Sequence, residues 1–181
     1  MNRFLKRLLV ADSFRLAADA MFIPIYALFV NDLGNTNVVI ISYTAAVMYF
    51  ASAAVMAIVG RYADHGHNKK KVVIAGTITL GMAYLLYTLV NSITQLVIVQ
   101  IIAGIGSAIQ APAFDGLYSE HLDKHKESTE WGNWEVTASI VYGTGALIGG
   151  ALVYLLGYDA LFYAMTLSAL ISGTLLYLKV R

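Results

Sequence analysis

Asp12, Arg15 and Asp19 stand three and four residues apart within an apolar stretch. On a helix of 3.6 residues per turn this spacing puts all three on one face, and the face continues through Phe22 and Tyr26. A cation between two carboxylates supports two kinds of chemistry. In one, the charges neutralise each other and form a structural network. In the other, Arg15 binds an anionic group or governs the protonation of Asp19, the deeper carboxylate, because a carboxylate beside a cation stays charged whereas a desolvated one takes up a proton. A proton or solute competing for the same partner would then be coupled to conformation. A second polar stripe, Gln100, Gly104, Ser107, Ala111 and Asp115, repeats the three-and-four spacing. Its glutamine and serine suit interhelical hydrogen bonds as well as ligand binding, and Asp115, near Glu120, falls toward the edge of its apolar run.

The elements that must position these residues are set by composition. Of 181 residues, 59% are hydrophobic and 13% charged, far from the soluble balance of about half apolar and a quarter charged. An α-helix needs about 20 apolar residues to cross a hydrocarbon core of roughly 30 Å. Six such runs are present, at about 7–30, 37–60, 71–91, 94–117, 132–156 and 159–178, hereafter spans 1 to 6. The chain therefore reads as an all-α, multi-pass membrane protein forming a single six-helix bundle over 1–181. A charge at the centre of a membrane helix costs roughly 2.5–3.5 kcal/mol on insertion scales, so three on span 1 are expected to face the bundle interior or a water-filled cavity.

Short loops retain Lys and Arg on the cytoplasmic side. Arg3, Lys6 and Arg7 precede span 1, Arg61 and Lys69 to Lys71 follow span 2, Lys124 and Lys126 follow span 4, and Lys179 and Arg181 follow span 6. The alternate loops NDLGNTN, NSI and GYD carry neither residue. Both termini are expected to be cytoplasmic, in an inner membrane. Span 1 is too long and too charged for a cleaved signal peptide and is expected to stay in the mature protein.

Net charge is +1 and cysteine is absent, which argues against a nucleic-acid partner and excludes disulfides, thiolate metal sites and a cysteine nucleophile. His65, His67, His121 and His125 lie in the basic loops and suit charge tuning better than metal binding. Trp131 and Trp134, at the start of span 5, read as interfacial anchors. No Ser/His/Asp constellation or phosphate-cradling loop occurs in the spans, so neither an enzyme nor a cofactor is expected.

The two prolines, Pro24 and Pro112, fall in the C-terminal halves of spans 1 and 4, close to half the chain apart. Matching interruptions in two sets of three spans, 1–91 and 92–181, are what an inverted three-plus-three repeat would give, and they point toward a transporter's site. Prolines are also tolerated singly in membrane helices.

Three segments carry a resemblance to a known family. After span 2 come Gly60, Asp64 and the cluster Lys69 to Lys71; in span 4 come Gly104, Gly106 and Pro112; in span 5 the run GALIGG covers Gly145 to Gly150. In these places the chain resembles the N-terminal half of a major facilitator superfamily secondary transporter. It departs from the family pattern at His65, Gly66 and Asn68 in the loop, at Gln100 where span 4 usually has an arginine, and at Ala146 where drug antiporters have a proline. Antiport of drugs therefore does not follow from these motifs. The resemblance implies a cytoplasmic gate made by Gly60, Asp64, Lys69 and Glu120, with a carboxylate at the end of span 4 pairing with the basic loop. Asp64 would suit a helix N-terminus across the bundle. Gly143, Gly145, Gly149 and Gly150, with Gly104, are expected to serve helix packing.

Six spans are half of what that family uses to form its cavity, and its two halves are parallel repeats about the membrane normal. The leading expectation is a half transporter, a parallel homodimer with a second copy of itself, moving a small solute by alternating access, with proton coupling open through Asp19. The substrate is not legible, although Tyr26, Tyr49, Tyr84, Tyr87 and Tyr142 permit aromatic or cationic ligands. Two alternatives are the N-terminal half of a twelve-span carrier and a non-transporting membrane scaffold or regulator.

Overall fold

A computed structural model describes residues 1–34, 37–64 and 68–180, the side chains of 62–64 apart. Span 1 is built from α1 (Arg3–Phe22), a 3-10 turn (Ile23–Ile25) and α2 (Tyr26–Asp32). Spans 2 to 6 are α3 (Val38–Asp64), α4 (Lys69–Leu86, continued by a 3-10 turn), α5 (Ile93–Ser119), α6 (Glu127–Leu156) and α7 (Tyr158–Lys179). Among the described residues, six spans are long and apolar enough to cross a membrane, as the composition predicts.

Local signals fix several boundaries. The side chains of Asn2, Asn68 and Ser92 accept from backbone N–H groups three residues on and so cap α1, α4 and α5, satisfying donors that a helix start leaves unpaired. Gly157, at φ 84°, is the single residue between α6 and α7, a backbone conformation that glycine adopts without steric cost. The prolines behave differently from one another. Pro24 breaks span 1 at the 3-10 turn, but α5 runs unbroken through Pro112. The second expected interruption is therefore a lost N–H donor within a continuous helix. α6 also begins earlier than its apolar run, so Trp131 and Trp134 lie inside it.

The helix packing carries the three-plus-three pattern. The principal interfaces are α3 on α5, α5 on α4, α4 on α7, α7 on α1 and α1 on α6. Exchanging span 1 with 4, 2 with 5 and 3 with 6 maps that series onto itself, as an inverted repeat requires. It leaves α3 and α6 at the two ends. Only 11% of the apolar window of each is buried, against 39–50% for the other spans.

Glycines set the closest of these approaches. A side chain at Gly104 would strike the Met48 carbonyl of α3; at Gly145, the Ala20 Cβ, and at Gly149, the Met21 carbonyl, both of α1. Gly76 and Gly106 do the same between α4 and α5, against Gln110 and Leu80. A side chain at Gly60, Gly143 or Gly150 would meet nothing within 4 Å among the described residues, so Gly143 and Gly150 mediate none of the close packing expected of them within this chain.

Two apolar clusters fill the bundle. One, around Leu5, Leu8, Val73, Phe114, Tyr118 and Leu176, lies at the end carrying the basic loops. The other, around Phe22, Phe29, Tyr87 and Phe162, lies toward the opposite end and is held by edge-to-face and stacked rings. In α1 the stretch from Asp12 to Asp19 falls between them.

Candidate functional site: a charged cavity in the bundle

α1 presents Asp12, Arg15 and Asp19 inward, as the cost of charge in lipid requires, and neighbouring helices supply partners. Arg15 Nε donates to Asp12 Oδ1 at 2.7 Å and Arg15 Nη1 to Asp19 Oδ2 at 3.1 Å. Trp134 of α6 donates to Asp12 Oδ2 at 3.1 Å, and Gln110 of α5 approaches Asp12 Oδ1 at 3.5 Å. Tyr84 of α4 donates to Asp19 Oδ1 at 2.6 Å. Four helices therefore converge on one guanidinium and two carboxylates.

The two aspartates are not equivalent. Asp12 is 2% exposed and ringed by donors, the structural reading of the triad. Asp19 is 25% exposed and lines, with Arg15, a cavity of about 460 Å³. Arg15 thus has one hydrogen-bonded side anchored in the wall and another turned to the space. Arg15 and Asp19 are the charged residues of the lining, so the wall itself is formally neutral, while the triad with the enclosed Asp12 carries one excess negative charge.

Polar and aromatic groups complete the lining. Tyr26, Gln100 and Ser107 line it as well. The Tyr26 hydroxyl donates to Thr44 Oγ1 at 2.7 Å and the Tyr87 hydroxyl to Gln100 Oε1 at 3.2 Å. Tyr49 of α3 and Tyr142 of α6 also line the cavity and are exposed, which marks the side between the two terminal helices as its mouth. Asp115 does not line it. That carboxylate is exposed near the end of α5, about two helical turns along the axis beyond Ser107.

Sequence reasoning placed Trp134 at the membrane interface, whereas its indole reaches inward to Asp12. It did not name Gln110 or Thr44. Gln110 was detectable as a polar residue in an apolar run; the pairing of Trp134 with a residue 122 positions away has no local signature.

At the basic end, Lys69 Nζ lies 2.6 Å from Glu120 Oε1. This is the pairing that the basic loop implied, but it joins the start of α4 to the end of α5, two helices that pack together. It is a clip within this bundle. The other gate residues contribute less: the side chain of Asp64, with His65 to His67, lies outside the described residues, and a side chain at Gly60 would meet nothing within 4 Å among the described residues.

The sequence is similar to several transporters. It is 26% identical over 158 residues to an uncharacterized MFS-type transporter of Methanocaldococcus jannaschii, covering 87% of this chain and 40% of that protein. It is 30% identical over 146 residues to the multi-drug resistance efflux pump PmrA of Streptococcus pneumoniae, covering 80% of this chain and 36% of the pump. The chain thus spans two fifths or less of these relatives. Another relative, the uncharacterized MFS-type transporter YitZ of Bacillus subtilis, is 22% identical over 161 residues and is covered over 96% of its length. The sequence profile of the Major Facilitator Superfamily matches residues 8–181, so with its six apolar spans and exchangeable packing the chain belongs to the Major Facilitator Superfamily and has the fold of half such a transporter.

Proposed function

We propose that this bundle forms one half of a solute pathway that works by alternating access, with Arg15 and Asp19 as its charged contacts. The observation that carries the proposal is the Arg15–Asp19 pair, held at 3.1 Å on the wall of a cavity whose mouth lies between α3 and α6. A solute anion competes for Arg15, and a cation or proton competes for Asp19. Either exchange alters the tie between α1 and α4 made through Tyr84. That is how binding in the cavity biases helix packing, since a ligand shifts a conformational equilibrium only through unequal affinity for the two states.

The apolar faces of α3 and α6 are the ones available to a second half. In our reading a second copy in the same orientation covers them, making a parallel homodimer with the basic end cytoplasmic in an inner membrane. Full coverage of the Bacillus subtilis relative supports a half-length unit of this kind. The partial coverage of the other two relatives supports the second reading, the N-terminal half of a twelve-span carrier. Crosslinking across the α3 and α6 faces in native membranes separates them: adducts at twice the chain mass support the homodimer, and monomers alone with transport intact refute it.

For substrate class, five tyrosines lining the cavity beside the partly exposed Asp19 carboxylate favour aromatic cations, and the similarity to a multi-drug efflux pump makes hydrophobic drugs a first panel. Proteoliposomes loaded with cationic, neutral and anionic aromatic dyes test this directly. Flux of a cationic dye that is lost in Asp19→Asn with insertion retained supports the reading. Equal flux in wild type and variant refutes the role given to Asp19, and no flux of any dye favours a scaffold.

A further inference from the structure

We infer that the groove between α1 and α7 at the basic end binds the headgroup and upper acyl chain of an anionic phospholipid. The groove encloses about 530 Å³ and is lined by Lys6, Arg7, Val10, Leu175, Leu178 and Lys179. Three of these six are cations and none is a carboxylate. Basic pockets between membrane helices suit anionic headgroups, but the vertical order of the lining is the stronger indication.

Lys6 and Arg7 lie at the start of α1 and Lys179 at the end of α7, so the cations ring the outer rim. Val10 lies about one turn further into the membrane along α1, and Leu175 about one turn deeper along α7, at roughly 5 Å per turn. The groove thus changes from cationic to aliphatic over the distance separating a phosphate from the first methylenes of its lipid. Val10 and Leu178 are 54% and 56% exposed, so an acyl chain has apolar surface to lie on. A small soluble anion would use the rim and leave this surface uncovered.

Arg7 is pre-positioned. Its Nη1 donates to the Lys179 carbonyl at 3.1 Å, which caps the end of α7 and fixes the guanidinium between the two helices. The remaining N–H groups form the planar fork that matches phosphate oxygens. Lys70 holds the same helix end from the other side, donating to the Tyr177 carbonyl at 3.1 Å and lying over the Tyr177 ring. A lipid phosphate bridging Lys6, Arg7 and Lys179 would therefore tie span 1 to span 6. The inference does not depend on the transport reading.

Native mass spectrometry of the purified chain, with phosphatidylglycerol or phosphatidylcholine added, tests it. The expected result is one retained phosphatidylglycerol per chain. Its affinity should fall on the order of a hundredfold in the triple variant Lys6→Gln, Arg7→Gln, Lys179→Gln, since each surface cation contributes a factor of about five. Lys71→Gln, Lys124→Gln and Lys126→Gln together remove the same charge from the same end and should leave retention unchanged. Equal loss in both triples, equal retention of phosphatidylcholine, or equal stabilisation by free glycerol phosphate would overturn the assignment.

A second measurement does not require the triple variant to fold. In Leu178→Trp, phosphatidylglycerol with brominated chains should quench the new indole more than brominated phosphatidylcholine at the same mole fraction. Identical quenching would also overturn it.

Discussion

The two aspartates of α1 divide the work of one arginine. Asp12 is enclosed, so removing it leaves a buried guanidinium short of a partner, a defect that costs about 3 kcal/mol or more. We predict that Asp12→Ala lowers the melting temperature in detergent sharply. Asp19→Asn, at a partly exposed position that retains Tyr84 as a neighbour, should cost about 1 kcal/mol while abolishing flux. Thermal unfolding and liposome transport of the two variants, measured side by side, check the division. The inward face of the triad was legible in the sequence because charge spacing and the cost of burial both bear on it. Asp19 was distinguishable as the deeper carboxylate, but the enclosure of Asp12 was not legible, because it is made by Trp134 and Gln110 on distant helices. At the other end of the bundle, the Lys69–Glu120 pair has a carboxylate that is 54% exposed, and exposed ion pairs contribute about 0–1 kcal/mol. Lys69→Gln is therefore predicted to change stability by less than about 1 kcal/mol, as chemical denaturation would report.

Among the elements, small residues decide which helices come close. Gly149 faces the α1 backbone at Met21 and Gly150 faces open space, although the two are adjacent in sequence. Gly149→Leu should destabilise by about 1–3 kcal/mol or prevent packing, since overfilling a tight contact forces neighbours to shift. Gly150→Leu should stay within about 0.5 kcal/mol, as surface changes do. Comparing their thermal unfolding tests the α1–α6 interface specifically. The six spans were legible from run length alone. The repeat was suggested by Pro24 and Pro112, yet only Pro24 breaks its helix, and the firmer sign is the exchange symmetry of the packing, which no single segment reveals. Glycine spacing likewise could not tell Gly145 and Gly149 from Gly143 and Gly150, because which side of α6 meets α1 is a tertiary fact.

For the whole molecule, the cavity is proposed to belong to a pathway open in turn to each side of the membrane. The basic end carries both termini and the lysine-rich loops, and the lipid groove between α1 and α7 sits there as well. The cavity lies against the aromatic cluster, sharing Phe22, Tyr84 and Tyr87 with it. The bundle has the fold of half a Major Facilitator Superfamily transporter, and in the proposed reading a second half over α3 and α6 completes the pathway. The chain has no cysteine, so a single one reports on its own position without background. Ser107 lines the cavity and Ser107→Cys changes little volume. The decisive measurement is the labelling of that cysteine by a membrane-impermeant thiol reagent applied to sealed vesicles of each orientation. Alternating access predicts labelling from both sides, with the ratio shifted by a transported dye. Labelling from one side only, unaltered by any dye that flux or thermal-shift assays show to bind, would contradict it.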